Sequence, residues 1–396
     1  MKQRIVELDV IRGYAIFGIL ICNMVFFSYP AEYISQYSSG EPSWLDSLAT
    51  YLRFNVFRDK TFSVFSLLFG LGIGMQCHKK TDSFAKHHSI RMLLLLMIGL
   101  IHALLLWYGD ILTLYAILGL TVLAVIRLPN RYLIIISVAV FLWPTIQTLL
   151  IRNEVIQLNF GGHDSIPLNE LIVLNTLEGI TGHLKYNYSQ ITPIIQFYVS
   201  GTLYYSLSMI VLGVALGKKG VIFRLNQQIR TYWKLFYITG TIVAVWNLYQ
   251  IFIFDITKMG ASSQFYVYWS LFNFSLIGQT FFVVASLIII LRTNRGYKLL
   301  GTFRYLGQMS LMNYILHSVL GLFVFKVLRF YGQSSHGIDL LLAIVFAVIQ
   351  IIFSKLWLAK HGTGPIESIW RKTSKNIIER LKRTTTNDKL NEQTTL

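Results

Sequence analysis

Leu8–Phe27, LDVIRGYAIFGILICNMVFF, decides the fold. Beyond Arg12 this stretch carries no charge, and at 1.5 Å per helical residue its twenty residues are long enough to cross a hydrocarbon layer of roughly 30 Å. Asp9 and Arg12 at its mouth lie on one helical face, three residues apart, so they can pair with each other, or Asp9 can hold Arg12 toward a pocket. A basic residue at a helix end also serves orientation alone. An acid is not needed for that purpose and costs insertion energy, which marks the pair as a candidate anion site; arginine suits a planar, multidentate grip on phosphate.

Runs of the same kind recur along the chain, near 11–28, 61–77, 91–108, 111–127, 132–151, 194–216, 233–253, 265–291, 308–328 and 338–358. The chain is 54% hydrophobic and 13% charged over 396 residues, with a mean hydropathy of +0.55, more apolar surface than a water-soluble fold of that length buries. The expected class is an all-α polytopic membrane protein, about ten transmembrane helices in one bundle. Most of the 35 Lys and Arg fall in alternate connections, at 2–12, 79–91, 127–131, 218–234, 292–304 and 355–389. The positive-inside rule then places both termini in the cytoplasm. The net charge of +17 is thereby read as membrane orientation, and no nucleic-acid partner is expected.

Cys22 lies inside the first run and Cys77 at an inner helix end, so no disulfide framework is expected. The first run is read as an uncleaved helix, because no small-x-small cleavage site follows it. Short connections place one transmembrane domain over 1–371. The exceptions are an acidic outer loop at 152–192, with a short amphipathic helix near LNELIVLNTLEGI, and a polar, basic, frayed tail at 372–396. The tail's expected partner is the anionic inner leaflet, which attracts a surface Lys or Arg by about 1 kcal/mol. FGLGIG (Phe69–Gly74) superficially resembles a nucleotide loop but lies inside an apolar run. Gly70, Gly74, Gly213 and Gly217 are read as small-xxx-small helix contacts.

Ionisable groups inside a bilayer are costly and raise a functional question. Asn23, His102 and His317 stand 11, 11 and 13 residues beyond Arg12, Arg91 and Arg304, which puts all three roughly 16–20 Å deep. Ser310, Asn313, Tyr314, His317 and Ser318 form one stripe in the ninth run, and it must face the bundle interior. A screened imidazole flanked by amides and hydroxyls has the makings of a general base; the plain alternative is interhelical hydrogen bonding, as for Gln279 and Asn247 at similar depth. Asp110, eight residues after His102, is expected about 12 Å further out, either receiving an outer substrate or capping a helix start after Gly109. Near the other inner end, HGTGPIESIWR (His361–Arg371) places Pro365 at a helix start with Glu367 and Arg371 one turn apart. It reads as a surface-lying helix or as a second jaw, through Arg371, of a phosphate site.

The pieces LDVIRGYAIFGILICN, KTFSVFSLLFGLGIG, IGLIHALLLWYGDILTLYAILGL, VLGVALG, GQMSLMNYILHS and GPIESIWR resemble successive signatures of the bacterial YeiB-like membrane proteins, whose carboxy-terminal half is known as domain of unknown function 418. The resemblance spans nearly the whole chain and implies a multi-pass protein of the bacterial inner membrane, with a carboxy-terminal YeiB-like part at about 194–371. The amino-terminal part, about 1–150, is more distantly similar to transmembrane acyltransferases such as heparan-glucosaminide acetyltransferase. That similarity implies acyl-coenzyme A as co-substrate on the cytoplasmic side, no metal, and a small-molecule or cell-envelope acceptor bearing a hydroxyl or amine on the outer side. It also implies that Asp9 and Arg12 organise the coenzyme entrance and that Asn23 lines the passage near the acyl group. The acetyltransferases carry a catalytic His shortly after that Asn, and FFSYPAEYISQYSSG has none. His102 is then the best substitute base, with Asp110 on the acceptor side. His317 stands where relatives are expected to have Gln. Two rival readings are a transporter using His102, His317 and Asp110 as a proton or solute pathway, and a non-catalytic scaffold. Neither a sequence repeat nor paired helix interruptions are evident, which favours the enzyme over the transporter.

Overall fold

The computed structural model describes residues 5–30, 41–77, 84–150, 170, 172–173, 179–220, 229–252 and 263–394. Within them the chain is helical and no strand occurs. In order, the helices are α1 (Val6–Ser28), α2 (Trp44–Tyr51), α3 (Lys60–Cys77), α4 (Phe84–Leu105), α5 (Leu112–Thr121), α6 (Asn130–Leu150), α7 (Gly179–Ser189) and α8 (Ile191–Phe197). They continue with α9 (Leu203–Lys219), α10 (Ile229–Phe252), α11 (Ser263–Ile290), α12 (Asn294–Leu300), α13 (Phe303–Gln308), α14 (Ser310–Gly321), α15 (His336–His361) and α16 (Pro365–Thr394). Eight of the helical segments are long and apolar enough to cross a membrane. The apolar stretch Leu112–Ala124 is shorter, and α8 runs into α9 through a π-helical turn at Tyr198–Thr202. These ten elements coincide with the ten apolar runs of the sequence. The protein is an all-α polytopic membrane protein.

One end of the bundle gathers the helix termini expected to be basic. Arg292 reaches Glu7 at 3.4 Å, His88 Nε2 sits 2.8 Å from the Gly119 carbonyl, Lys218 donates to the Ile126 and Leu128 carbonyls, and Trp370 donates to the Arg91 carbonyl. These contacts bring the starts of α1 and α4, the ends of α5, α9 and α11, and α16 to one face. At the opposite end Ser28 donates to Asp339 at 2.8 Å, Gly337 N–H donates to Asp46 at 2.7 Å, and Lys326 Nζ meets His183 Nδ1 at 2.6 Å. The chain therefore alternates between a basic end and a far end.

Two glycine-mediated seams set the core. A Cβ at Gly70 or Gly74 would collide with the backbone of Ile210 or Val214, and one at Gly213 or Gly217 with that of Leu67 or Leu71. The FGLGIG stretch thus seats α3 directly on α9, as read from the sequence. Gly13 meets the Phe303 carbonyl and Gly307 the Asp9 carbonyl, so the glycine of LDVIRG exists to let α13 lie against the start of α1.

Two expectations are corrected. The tail from 372 is not frayed: α16 continues as one helix from Pro365 to Thr394. Nor is its start a free surface helix. Glu367 is buried and accepts the N–H groups of Leu311 and Met312 at 2.9 and 3.1 Å, capping the open N-terminus of α14. The amphipathic helix expected near LNELIVLNTLEGI falls largely outside the described residues, as do Glu154, Asp164 and Glu178.

Candidate functional site

The centre of the far half is built around an early chain reversal. α4 ends at Leu105 and residues 106–111 turn back without regular structure before α5 begins. Irregular backbone at this depth needs internal partners, and it has them. Tyr198 donates to the Asp110 carbonyl at 2.6 Å, the Ile111 N–H donates to Tyr314 Oη at 3.0 Å, and α7 covers the turn, Asn187 donating to the Leu104 carbonyl and His183 Nε2 lying 3.2 Å from that of Leu105. Burial and the neighbouring Lys326 ammonium push the His183 imidazole down to about 4, so it is neutral at neutral pH.

The reversal places Asp110 elsewhere than a continuous helix would. The carboxylate is 1% exposed and its Oδ1 lies 2.9 Å from His102 Nδ1, instead of 12 Å further along at the surface. Counting helical rise past His102 fails because the helix stops three residues later. Its other oxygen accepts the Thr113 N–H at 2.7 Å, so Asp110 is also the cap of α5. The His102 contact is a close acid–base pairing whose angle falls short of a linear hydrogen bond. On the other side of the ring, His102 Nε2 lies 2.9 Å from Ser318 Oγ. With the Nδ1 proton facing the carboxylate, Nε2 is left as acceptor and the Ser318 hydroxyl donates to it.

Asn23 belongs to the same level. Asp9 and Gly13 meet α13 at one end of the α1–α14 seam and Phe27 meets Gly321 at the other, and the parallel run between them brings residue 23 level with His317 and Ser318. The Asn23 amide is buried and has no hydrogen bond among the described residues. Trp107 Nε1, Thr113 Oγ1 and His317 Nδ1 are likewise buried without a hydrogen-bond partner. Unsatisfied buried polar groups are rare in folded proteins and call for an explanation; of these three residues, Thr113 bonds Asp110 through its N–H and His317 lies within electrostatic reach of His102. By contrast Gln279 bonds Ser275 and Asn247 bonds the Val243 carbonyl, each one turn back in its own helix, the plain packing role.

The polar stripe faces inward as expected, but Ser310 at its basic end is only half-buried. Asn313 bonds Ser354 and the Leu306 carbonyl, and Gln350 joins His317 Nε2 at 3.2 Å to the Asn313 carbonyl. Tyr314 lies beside His102, the rings tilted at 38° with centroids 5.2 Å apart. The structure thus brings His102, Asp110, Tyr314 and His317 together, with Asn23 buried at a similar level on α1. The sequence reading missed Trp107, Thr113, Tyr198 and Gln350; only the closeness of Trp107 and Thr113 to the His102–Asp110 stretch hinted at two of them.

The candidate phosphate residues lie apart from this cluster. Arg12 is 27% exposed and 3.4 Å from Asp9, close to the Gly307 carbonyl, while Gln308 donates to the other Asp9 oxygen. Ile16, Ile19 and Leu20, all at 0% exposure, fill α1 between Arg12 and Asn23, so no open passage along this helix face joins guanidinium to imidazole. Arg371 is exposed beside Glu367 and Arg91. Burial raises the Glu367 carboxyl above its ordinary value, against the pull of the Met312 and Leu311 N–H groups and Arg371. Among the described residues no group of acidic, His or Cys side chains is arranged to hold a metal. A cavity of about 460 Å³ lined by Pro42, Ser47, Thr50, Tyr51 and His336 opens at the far end, away from these groups.

Comparison with known proteins fits this architecture. Residues 216–375 match the family described as "Protein of unknown function (DUF418)". The uncharacterized protein YxaH of Bacillus subtilis (strain 168) is 27% identical over 93% of this chain and 94% of its own length. The uncharacterized protein YeiB of Escherichia coli (strain K12) is 24% identical over 93% and 96%. The chain is thus similar to YxaH and YeiB over nearly its whole length and to the DUF418 family over residues 216–375. A third relative, an uncharacterized 39.9 kDa protein of Bacillus acidopullulyticus, is 23% identical over 95% of both chains. The family-matched segment supplies Ser318, His317 and Gln350, whereas His102, Asp110 and Asn23 come from the part before it. The cluster is therefore assembled across that boundary.

Proposed function

We propose that the protein is an acyltransferase of the bacterial inner membrane. It moves an acyl group from cytoplasmic acyl-coenzyme A to a hydroxyl or amine of a small-molecule or cell-envelope acceptor on the outer side. The observation that carries the reading is the His102 imidazole held between a carboxylate and a hydroxyl among unsatisfied buried donors. Asp110 fixes the ring so that Nε2 takes a proton, the arrangement a general base requires. The free Asn23 amide is positioned to donate to the oxyanion of a tetrahedral intermediate. Arg12, steadied by Asp9, and Arg371 offer guanidinium groups to coenzyme phosphates at the basic end, which the positive-inside rule assigns to the cytoplasm. The basic face of α16 lies on the anionic inner leaflet. The α1–α14 seam is closed here, so the acyl end reaches His102 only when that seam parts, a gating motion of the kind common in enzymes.

The test is thermal unfolding of the purified protein titrated with coenzyme A. Saturable stabilisation is expected, about 2.7 kcal/mol at a hundredfold excess over Kd, weakened in Arg12→Ala and retained in His102→Gln. No shift at millimolar coenzyme A overturns the donor. Proton-coupled solute uptake that depends on His102 and His317 without any thioester cleavage would replace the enzyme with a transporter.

A further inference from the structure

The geometry points to Ser318 as a covalent acyl carrier, the nucleophile of a Ser318–His102–Asp110 triad buried in the bundle. The inference rests on the acyl-transfer reading above and deepens it: transfer proceeds in two steps through an ester on Ser318.

Ser318 is one of the hydroxyls that bond across helices, as Ser66 does to Tyr115 and Ser137 to Ser208, and its partner is an imidazole. Thr239, Thr241, Thr280 and Ser286 each donate to the carbonyl four residues earlier in their own helix, the usual way a hydroxyl is satisfied in an apolar setting. Ser318 makes no such bond; its partner is His102 Nε2, 216 residues away in sequence, at 2.9 Å. The imidazole's opposite nitrogen faces Asp110 Oδ1 at 2.9 Å. A hydroxyl, an imidazole and a carboxylate in that order, with the carboxylate held by a second bond from Thr113 N–H, form the nucleophile–base–orienter arrangement that is recognised by geometry on unrelated folds. The oxyanion is assigned to the Trp107 indole N–H, buried without a hydrogen-bond partner, and to the buried Asn23 amide. The packed interior also favours two steps. With Ile16, Ile19 and Leu20 filling the approach from the basic end, a carrier lets donor and acceptor arrive in turn, with no need for both to occupy the core together.

In the first step Ser318 Oγ bonds the thioester carbonyl carbon as its proton passes to His102 Nε2. The carbon–sulfur bond then breaks and the sulfur leaves as a thiol with that proton. In the second step an acceptor hydroxyl gives its proton to Nε2 while its oxygen bonds the acyl carbon; the ester bond to Oγ breaks and Oγ recovers the proton.

The full-length protein in detergent is treated separately with acetyl-coenzyme A and with a fluorophosphonate, and the modified peptide is mapped by mass spectrometry. Both reagents are expected to modify Ser318, and Ser318→Ala to lose both adducts. His102→Gln is expected to lower the fluorophosphonate rate at least a hundredfold, and thermal unfolding of each variant checks its fold. In Ser318→Ala, coenzyme A release from acetyl-coenzyme A should fall about a thousandfold or more. If Ser318→Ala turns over within threefold of the parent while His102→Gln is inactive, the carrier is wrong and His102 acts directly on the acceptor. If neither reagent modifies Ser318 in the parent protein, the triad is wrong. Fluorophosphonate labelling of Ser318 without any response to coenzyme A supports the nucleophile and removes the thioester donor instead.

Discussion

Asp110 divides its two oxygens between the first turn of α5 and the His102 ring, so one side chain couples a helix start to a potential base. Asp110→Ala removes the cap and leaves a buried imidazole nitrogen facing no acceptor. A loss of about 2–4 kcal/mol is expected from the two effects together. Asp110→Asn keeps an oxygen for the Thr113 N–H and should lose less, about 1 kcal/mol. Thermal unfolding of both variants in one detergent compares them, and equal losses would show that the cap contributes nothing. The residue types at this site were legible in the sequence because buried ionisable groups are rare in an apolar run. Their grouping was not: His102 and Asp110 were read as 12 Å apart, and nothing local in the spacing around Ser318 announces that its hydroxyl is aimed at α4 and not at its own backbone.

At the scale of elements, the α3–α9 seam holds the scaffold on which α5 rests. Gly70 and Gly72 provide an internal contrast, two residues apart on one helix. A methyl at Gly70 would meet the Ile210 backbone, whereas one at Gly72 meets nothing within 4 Å. Gly70→Ala should destabilise by about 3 kcal/mol or prevent accumulation of folded protein, since backbone cannot retreat as a flexible side chain can. Gly72→Ala should be neutral or stabilising by up to about 1 kcal/mol through helix propensity. Expression and thermal unfolding of the pair give the comparison, and equal behaviour would remove the seam from the argument. The glycine spacing made this contact readable in advance, because four-residue periodicity aligns small residues on one helix face. The α4–α5 turn was read to within a few residues, but not that it folds beneath α7, because coverage by a distant helix leaves no periodic trace.

For the whole molecule, alternation of basic and far ends sets which compartment each half of the site faces. Cysteines placed at the two ends test it in a Cys77→Ser background. With the basic end inside, Glu41→Cys is expected to react with a membrane-impermeant maleimide in intact cells, and Lys375→Cys only after permeabilisation. The reverse pattern would invert the bundle and put Arg12 on the side that has no cytoplasmic coenzyme. Sequence by itself determined the all-α membrane class, the approximate limits of the apolar runs, the glycine seams and the inward polar stripe. These depend on hydropathy and helical period, which are properties of consecutive residues. Only the tertiary structure decided that α4 stops short, that Asp110 turns back onto His102 instead of reaching the surface, that Ile16, Ile19 and Leu20 separate Arg12 from the cluster, and that Ser318 completes it. Each of those depends on side chains meeting across helices far apart in the chain, where packing and chain reversal, and not local period, fix who touches whom.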